Sequence, residues 1–563
     1  MNRWARNLCR LVMVFAIGIA GIRNVRAQSA TAEQTAADGY YNAKDWQKAA
    51  PAYEALAKAN PASGQDWYRW GVALAGTGQY QKAIECYEKA IVFEPGDSGL
   101  YLGLGNEYAF TGDRLRAVES YGKALQLAPH SGVCWNNLGN VFLELKDAPN
   151  AANCYENAVR FEPGDSGFRY NLGRTLDSLG RHAEAREHLM LATERNPSHA
   201  DAWINLGNAQ QNLGAFDEAL GCFDRALELT DRQAEVHVNR AMVLLNRGEF
   251  REGWREYEYR WETGGFSAYK RRSFGAPQWK GESLAGKTIL LHTEQGFGDA
   301  IQFARFIPTV SSLGAEVFLE VEAPLRRLLE GVVQPGHLLT RGEALPACNY
   351  HCSLISLPLA LGLEIDTIPC EPYLKVHVPE AISERVRRAF FRVDGEGRKL
   401  RVGLCWRGNP THRWDRIRSL DLARLDALAG VSGVQWVSLQ RDATREEQAV
   451  FSERFGGVVL SEELMEDFLA IAGVIEELDV VVAVDTATAH LAGAMGKSVW
   501  LLLPPFNDWR WHAHLAESPW YPSARFFRQT PPGEWAGAVE AVVAELTALD
   551  RSSGTYRLGR ESE

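Results

Sequence analysis

Two short turns in the second half of this 563-residue chain hold the residues best suited to chemistry. One is His292-Thr293-Glu294-Gln295-Gly296-Phe297-Gly298-Asp299. Gln295, Gly296 and Gly298 make a glycine turn in which the backbone reverses sharply and can approach a ligand, and Asp299 begins a helix. The other is Asp485-Thr486-Ala487-Thr488-Ala489-His490, set between the apolar runs VVVAV and SVWLLL. There Asp485 or Thr486 caps a helix whose free backbone N–H groups point outward at an anion, which makes a seat for phosphate. Each turn also reads as an ordinary capped junction, with Asp299 serving only as a helix cap. A third polar stretch, Trp406-Arg407-Gly408-Asn409-Pro410-Thr411-His412-Arg413, comes after the run RVGLCW. Arg407 and Asn409 in it are candidate phosphate contacts, Arg413, Arg416 and Arg418 weaker ones; a solvated basic loop is the plainer reading. Gln440 and Arg441, at the end of VQWVSLQR, could reach a base or ribose.

Those turns need strands before them and helices after them. From Lys287 the pattern alternates: KTILLH, a helix from about Asp299 to Leu313, EVFLEV, a helix near Leu325 to Glu330, and a mixed stretch from Leu354 to Leu363. After a helix over Val378 to Arg392, a second series runs RVGLCW, Leu425 to Ala429, VQWVSL, GVVL, Glu466 to Glu477 and VVVAV. Alternation of this kind predicts parallel sheets flanked by helices, here two Rossmann-like sandwiches with a cleft between them.

The first half has a different period. Gly71, Gly105, Gly139, Gly173 and Gly207 stand 34 apart; an alanine comes 12 residues after each and another 19 after, and Tyr87, Tyr121, Tyr155, Leu189 and Phe223 come 16 after. Pro95, Pro129, Pro163 and Pro197 close four of the units. The pattern resembles the tetratricopeptide repeat, a helix hairpin whose small residues let two helices touch and whose apolar face is buried only by stacking. About seven hairpins fit, forming an α superhelix. Asn136, Asn137, Asn140, Asn171 and Asn205 recur on the first helices of successive units, although asparagine is a poor helix former. They read either as a ladder of amides holding an extended peptide in the groove or as hydrogen bonds between adjacent repeats.

Gly298-Asp299 after a strand and a glycine turn, with Asp485-Thr486-x-x-x-His490 and Gly496-Lys497 downstream, resembles the heptosyltransferase-like branch of the two-domain GT-B glycosyltransferases. It is also similar to bacterial proteins that place tetratricopeptide repeats before such a module. The resemblance covers roughly Leu284 to Leu546. It implies Asp299 as the base on an acceptor hydroxyl, and the Asp485-Thr486 turn with Ala487 and His490 as the holder of a nucleotide-diphosphate sugar. Ala487 departs from the glycine often found there. The residues also suit that reaction directly: it needs a carboxylate to take a proton and positive potential for the departing diphosphate. One carboxylate acting as base implies inversion. The sequence contains no Asp-x-Asp, the usual divalent-metal handle of the other large glycosyltransferase class, so no metal and no other cofactor is expected. Cys348, Cys352 and Cys370 read as buried thiols, and His512 and His514 lack a third ligand. Trp509, Trp511 and Trp520 read as interdomain packing or as stacking surfaces for a base.

A net charge of -11 excludes a nucleic-acid backbone as the expected partner. Arg3, Arg6 and Arg10 before the apolar run Leu11 to Ile22 make residues 1–27 an export signal or a membrane tether; membrane association is expected only through them, while donor chemistry argues for a cytoplasmic catalytic half. The expected order is then 1–27 signal-like, 30–262 repeats, 263–286 linker, 287–392 acceptor-side domain, 398–550 nucleotide-sugar-binding domain and 551–563 tail. The leading reading is an inverting, metal-independent glycosyltransferase whose repeats recruit a protein or polysaccharide acceptor. The rival is a repeat scaffold with a non-catalytic glycosyltransferase-like domain, possibly exported.

Overall fold

A computed structural model describes residues 32–264, 272–391, 399–410, 415–505, 508–512, 515, 517–531 and 533–549. The leader-like segment 1–27, the tail 551–563, Arg413 and His514 lie outside the described residues. The chain divides into two compact units, Met1–Ala202 and Trp203–Glu563. The division falls inside the repeat array.

The first unit is a succession of antiparallel helix hairpins, among them Gly64–Gly76 with Tyr80–Phe93, Ser98–Thr111 with Arg114–Leu127, Gly132–Glu144 with Ala148–Phe161, and Ser166–Ser178 with His182–Arg195. Side chains of Ser63, Asp97, Asp113, Ser131, Asp147 and Asp165 accept from backbone N–H groups in the first turn of six of these helices, so the polar residue after each loop starts the next helix. The repeated glycine is a packing requirement. A Cβ on Gly105 would lie 2.7 Å from the Tyr121 ring, and one on Gly139 2.7 Å from Tyr155. The aromatic sixteen residues later fills the space that the missing side chain leaves.

The second unit begins with the last repeat helices, including Phe216–Leu227, Gln233–Asn246 and Phe250–Tyr257. The last two of these helices pack into the α/β region, while Phe216–Leu227 packs on Gln233–Asn246. Leu245, Phe250, Trp254 and Tyr257 belong to the same buried core as Ile289, Phe303, Trp509 and Trp520. The segment expected as a linker is also packed where described: Trp279 is buried, and its backbone N–H donates to the His351 carbonyl at 2.8 Å.

The α/β region holds two parallel sheets. The first has strands β1 (Thr288–His292), β2 (Glu316–Val321), β3 (Leu338–Thr340) and β4 (Tyr350–Ser353), in the order β3-β2-β1-β4. The second has β5 (Leu400–Cys405), β6 (Val434–Ser438), β7 (Val480–Ala483), β8 (Ser498–Leu503) and β9 (Ala524–Arg528), in the order β6-β5-β7-β8-β9. Strand β7 is buried along its whole length, as a continuous Val/Ala run in a parallel sheet must be. The run GVVL, expected as a strand, makes only an isolated bridge, Val437 to Val458. Three further strands lie outside the expected alternation: β3 is three residues long, and β4 and β9 carry His351 and two arginines in place of an apolar run. In each sheet the chain winds outward in both directions from one adjacent pair, β1/β4 and β5/β7. Crevices outside the carboxyl ends of such pairs are where open α/β sheets bind ligands.

Candidate functional site

The two polar turns leave the carboxyl ends of β1 and β7, and the structure brings them into contact. The helices Phe297–Phe303 and Ala487–Ala494 meet at their first turns. A Cβ placed on Gly298 would lie 2.8 Å from His490 Cδ2 and 3.5 Å from the Ala487 Cα. Gly298 is therefore required for close approach, since its backbone lies against a buried imidazole.

Asp299 sits in the first turn of its helix. Its Oδ2 accepts from the Gly296 N–H at 2.9 Å, which makes it a cap, while Oδ1 pairs with the Arg510 guanidinium. Arg510 also donates through Nε to Gln302 Oε1 at 2.8 Å and pairs with Asp508 at 2.6 Å. Burial pushes the Asp299 carboxyl above its ordinary value, against the opposing pull of Arg510. An ionised carboxylate with two hydrogen bonds keeps acceptor capacity for a third donor.

In the second turn Thr486 is the N-cap with extended backbone, and its hydroxyl makes no capping hydrogen bond. The carbonyl of Thr486 accepts from Ala489 and His490 N–H. The helix Ala487–Ala494 is built of small residues and is buried from Thr488 to Ala494. Asp485 lies 3.6 Å from Arg418 and 3.8 Å from His490 Nε2. His490 itself is only 4% exposed, its Nδ1 3.0 Å from the Tyr521 hydroxyl and its ring stacked on Trp511 at 5.0 Å. Burial, helped by Arg510, lowers its pKa to about 3, so the ring is neutral at physiological pH.

The remaining expected site residues are placed less simply. Arg407 Nη2 is 3.2 Å from Glu447 and 3.5 Å from Asp442, so its charge is already paired. Gln440, a candidate for contact with a base, instead uses its amide to brace the strand ends. It accepts from the Trp406 and Arg407 N–H groups at 3.1 and 3.0 Å and donates to the Arg407 carbonyl and Asp442. Asn409 lies in the same loop, within the described residues. Arg418 packs against Gly408, where a Cβ would lie 2.5 Å from its Nη2. In the array, Asn137 donates to Asn106 at 2.9 Å, Asn171 donates to Asn136 at 2.8 Å, and Asn140 accepts from the Tyr155 hydroxyl at 2.7 Å. The amides thus bond within and between repeats; Asn205 lies in the second unit.

Sequence reasoning missed the partners. Arg510, the cation on Asp299, is 211 residues away in the chain; the visible signal was a charge set between two tryptophans in Trp509-Arg510-Trp511. Arg305 is another. It is 2% exposed, donates to the Trp520 carbonyl at 2.8 Å and lies over the Tyr373, Trp520 and Tyr521 rings. Trp509, Trp511 and Trp520 are themselves buried and serve packing. His512 is likewise buried, its Nδ1 2.9 Å from the Asn246 carbonyl. Among the described residues no group of three or more His, Cys, Asp or Glu could hold a metal ion.

Family models of the tetratricopeptide repeat match residues 65–97, 102–166, 136–200 and 200–229. The helix hairpins are tetratricopeptide repeats. Over the matched residues such repeats indicate a protein-interaction scaffold. Protein FlbA of Caulobacter vibrioides is similar at 28% identity over 328 residues, 53% of this chain and 52% of that protein. The chain thus spans about half the length of that curated relative. Among solved structures, YrrB, described as a TPR protein with an unusual peptide-binding site, aligns at 23% identity and TM-score 0.30 over 33% of this chain and 95% of its own. MamA aligns at 26% identity and TM-score 0.28 over 31% and 94%, and pilF of Pseudomonas aeruginosa at 17% and 0.34 over 38% and 96%.

Proposed function

We propose that the α/β half is a glycosyltransferase of GT-B type, inverting and metal-independent, which moves a sugar from a nucleotide-diphosphate donor to a protein or polysaccharide acceptor recruited by the repeats. The observation that supports it most is the meeting of the two turns at Gly298 and His490, which sets a carboxylate from one sheet beside a helix N-terminus from the other. In this reading the diphosphate lies against the free N–H groups after Thr486, where the helix start contributes about 0.3–1 kcal/mol, rising to ~2 kcal/mol when partly buried. Arg418 stands between Asp485 and Asp415, at 3.6 and 3.4 Å, and holds Asp485 at the start of that helix. A hollow of about 290 Å³ at the end of β6, lined by Ser438, Arg441, Leu460 and Met465, takes the base. Asp299, with its raised pKa, accepts the proton of the acceptor hydroxyl, and Arg510 holds the carboxylate in place. His490, neutral and buried, keeps Asp485 and the first turn in register. Asp299→Asn is expected to lower turnover about 10²–10⁴-fold while nucleotide affinity stays within a factor of two or so. Normal turnover in that variant would leave Asp299 as a cap alone.

A second reading, a repeat scaffold whose α/β half binds without catalysis, is favoured by one observation. Both Asp299 oxygens, the Gln440 amide and the Arg407 charge are already engaged. It is separated from the first by detecting nucleotide binding without release of nucleoside diphosphate from any donor sugar.

A further inference from the structure

His490 has a neutral, buried ring, and the place of its single N–H hydrogen decides what it shows to Asp485. Nδ1 lies 3.0 Å from the Tyr521 hydroxyl. Nε2 faces Asp485 Oδ1 at 3.8 Å, too far for a hydrogen bond but close enough for the carboxylate to feel the sign of the ring nitrogen. Tyr521, just before β9, is 1% exposed, and burial holds its phenol well above the ordinary pKa, so the hydroxyl keeps its hydrogen. The Tyr521 ring lies against the helix Ala487–Ala494 at Gly493, where a Cβ would lie 2.6 Å from Tyr521 Cγ. The missing side chain lets the hydroxyl reach His490, one turn back.

Arg305 orients that hydroxyl. It donates to the backbone carbonyls of Gln302, Pro369 and Trp520 at 2.9, 3.2 and 2.8 Å. Its guanidinium lies over the Tyr521 ring at 4.7 Å and acts on the hydroxyl. A guanidinium has donors only, so it attracts the hydroxyl oxygen and cannot take the hydrogen. Tyr373, the second phenol beside Arg305, is turned to the Ile301 carbonyl at 2.8 Å. Among the described residues that leaves His490 Nδ1 as the acceptor of the Tyr521 hydrogen, with the ring's own hydrogen on Nε2. Asp485 selects the same arrangement from the other side, since a lone pair on Nε2 would point at a carboxylate oxygen.

We propose that Tyr521, oriented by Arg305, is a positioning residue: its hydroxyl donates to His490 Nδ1 and fixes the ring hydrogen on Nε2, which draws the Asp485 carboxylate toward the ring and away from the diphosphate seat after Thr486. The link to nucleotide affinity rests on the transfer reading, whereas the place of the hydrogen does not. The test is nitrogen NMR of the full chain carrying isotope-labelled histidine, with the His490 signals assigned by their absence from His490→Asn, alongside titration with uridine, adenosine and guanosine diphosphates. In wild type the hydrogen is expected on Nε2, with the Nδ1 signal displaced by an accepted hydrogen bond. Tyr521→Phe keeps the ring on Gly493 and removes the hydroxyl. In that variant the Nδ1 signal is expected to leave its wild-type position, and the nucleotide that binds wild type is expected to bind about tenfold more weakly. Hydrogen on Nδ1 in wild type, an Nδ1 signal unmoved by Tyr521→Phe, or unchanged nucleotide affinity in that variant would overturn the assignment. If no nucleotide binds wild type, the transfer reading fails, and the two nitrogen signals still decide this one.

Discussion

The repeat unit and the α/β unit satisfy their interior polar groups by different means. In the repeats a set of neutral bonds is copied from hairpin to hairpin: Tyr121 to Asn106 at 2.7 Å, Tyr155 to Asn140 at 2.7 Å, and Asn171 to Asn136 at 2.8 Å. In the α/β unit the candidate site rests on charged pairs that occur once and are formed across long stretches of chain. Arg510 meets Asp299, and fully buried Arg260 meets fully buried Glu294 at 2.7 Å. A rung can be lost while its neighbours remain, because each repeat contacts chiefly the next. An unpaired buried charge has no substitute. Redundancy belongs to the scaffold, and single-point dependence to the unit that holds the candidate chemistry.

The largest effect should come from Arg510→Met. It strands Asp299 and Asp508, and the cost expected is about 3–5 kcal/mol, read as a shift in the denaturant midpoint of the α/β unit. A shift below about 1 kcal/mol would show that the pair is not what holds the first turn. Next is Gly298→Ala. Its methyl would meet His490 at 2.8 Å, and because that ring is stacked on Trp511 it has little room to yield. About 1–3 kcal/mol of destabilisation is expected, with faster hydrogen exchange in both turns together.

The two units should also differ in pH response. Burial raises Glu107, in the repeats, to about 7, so the folded state holds a proton that the unfolded state has released. Its contribution is present below about 4.5 and is lost as pH rises toward 7. His490 runs oppositely: with a folded pKa of about 3 it stays neutral while the unfolded ring protonates. That contribution is present above about 6.5 and is lost as pH falls toward 3. Hydrogen exchange on the intact chain between pH 4.5 and 7 should therefore show Glu107→Gln abolishing a falling slope in the repeats, of at most about 1.4 kcal/mol per pH unit. His490→Asn should abolish a rising one in the α/β unit. The smallest effect is expected from Asn171→Ala, about 0.5–1.5 kcal/mol and confined to the hairpins that it joins.

Legibility from sequence divides along the same line. The array was legible because its determinants are periodic: Gly105 and Tyr121 recur at fixed spacing, and each copy repeats the message. Strands β1, β2 and β5 to β8 were legible as apolar runs. Strand β4, Tyr-His-Cys-Ser, was not, because its polar residues face a cavity and its pairing partner β1 lies about sixty residues earlier. The two turns could be read as helix starts, since glycine and cap residues act locally. That Asp299 is held by Arg510, and that Gln440 is spent bracing Trp406 and Arg407, depends on packing between distant segments. No local pattern encodes such contacts.

The central claim is that the turn after β7 seats the diphosphate of a nucleotide sugar. Titration calorimetry with uridine, adenosine and guanosine diphosphates, on wild type and on Ala487→Asp, tests it most directly. An aspartate at the first position of that helix suits the helix dipole and should leave the fold intact, yet sets a negative charge where the phosphates would lie. One nucleotide should bind wild type and lose at least tenfold in affinity to the variant. If none binds wild type, or if binding is unchanged by Ala487→Asp, the turn is a capped junction and the account of the site is wrong.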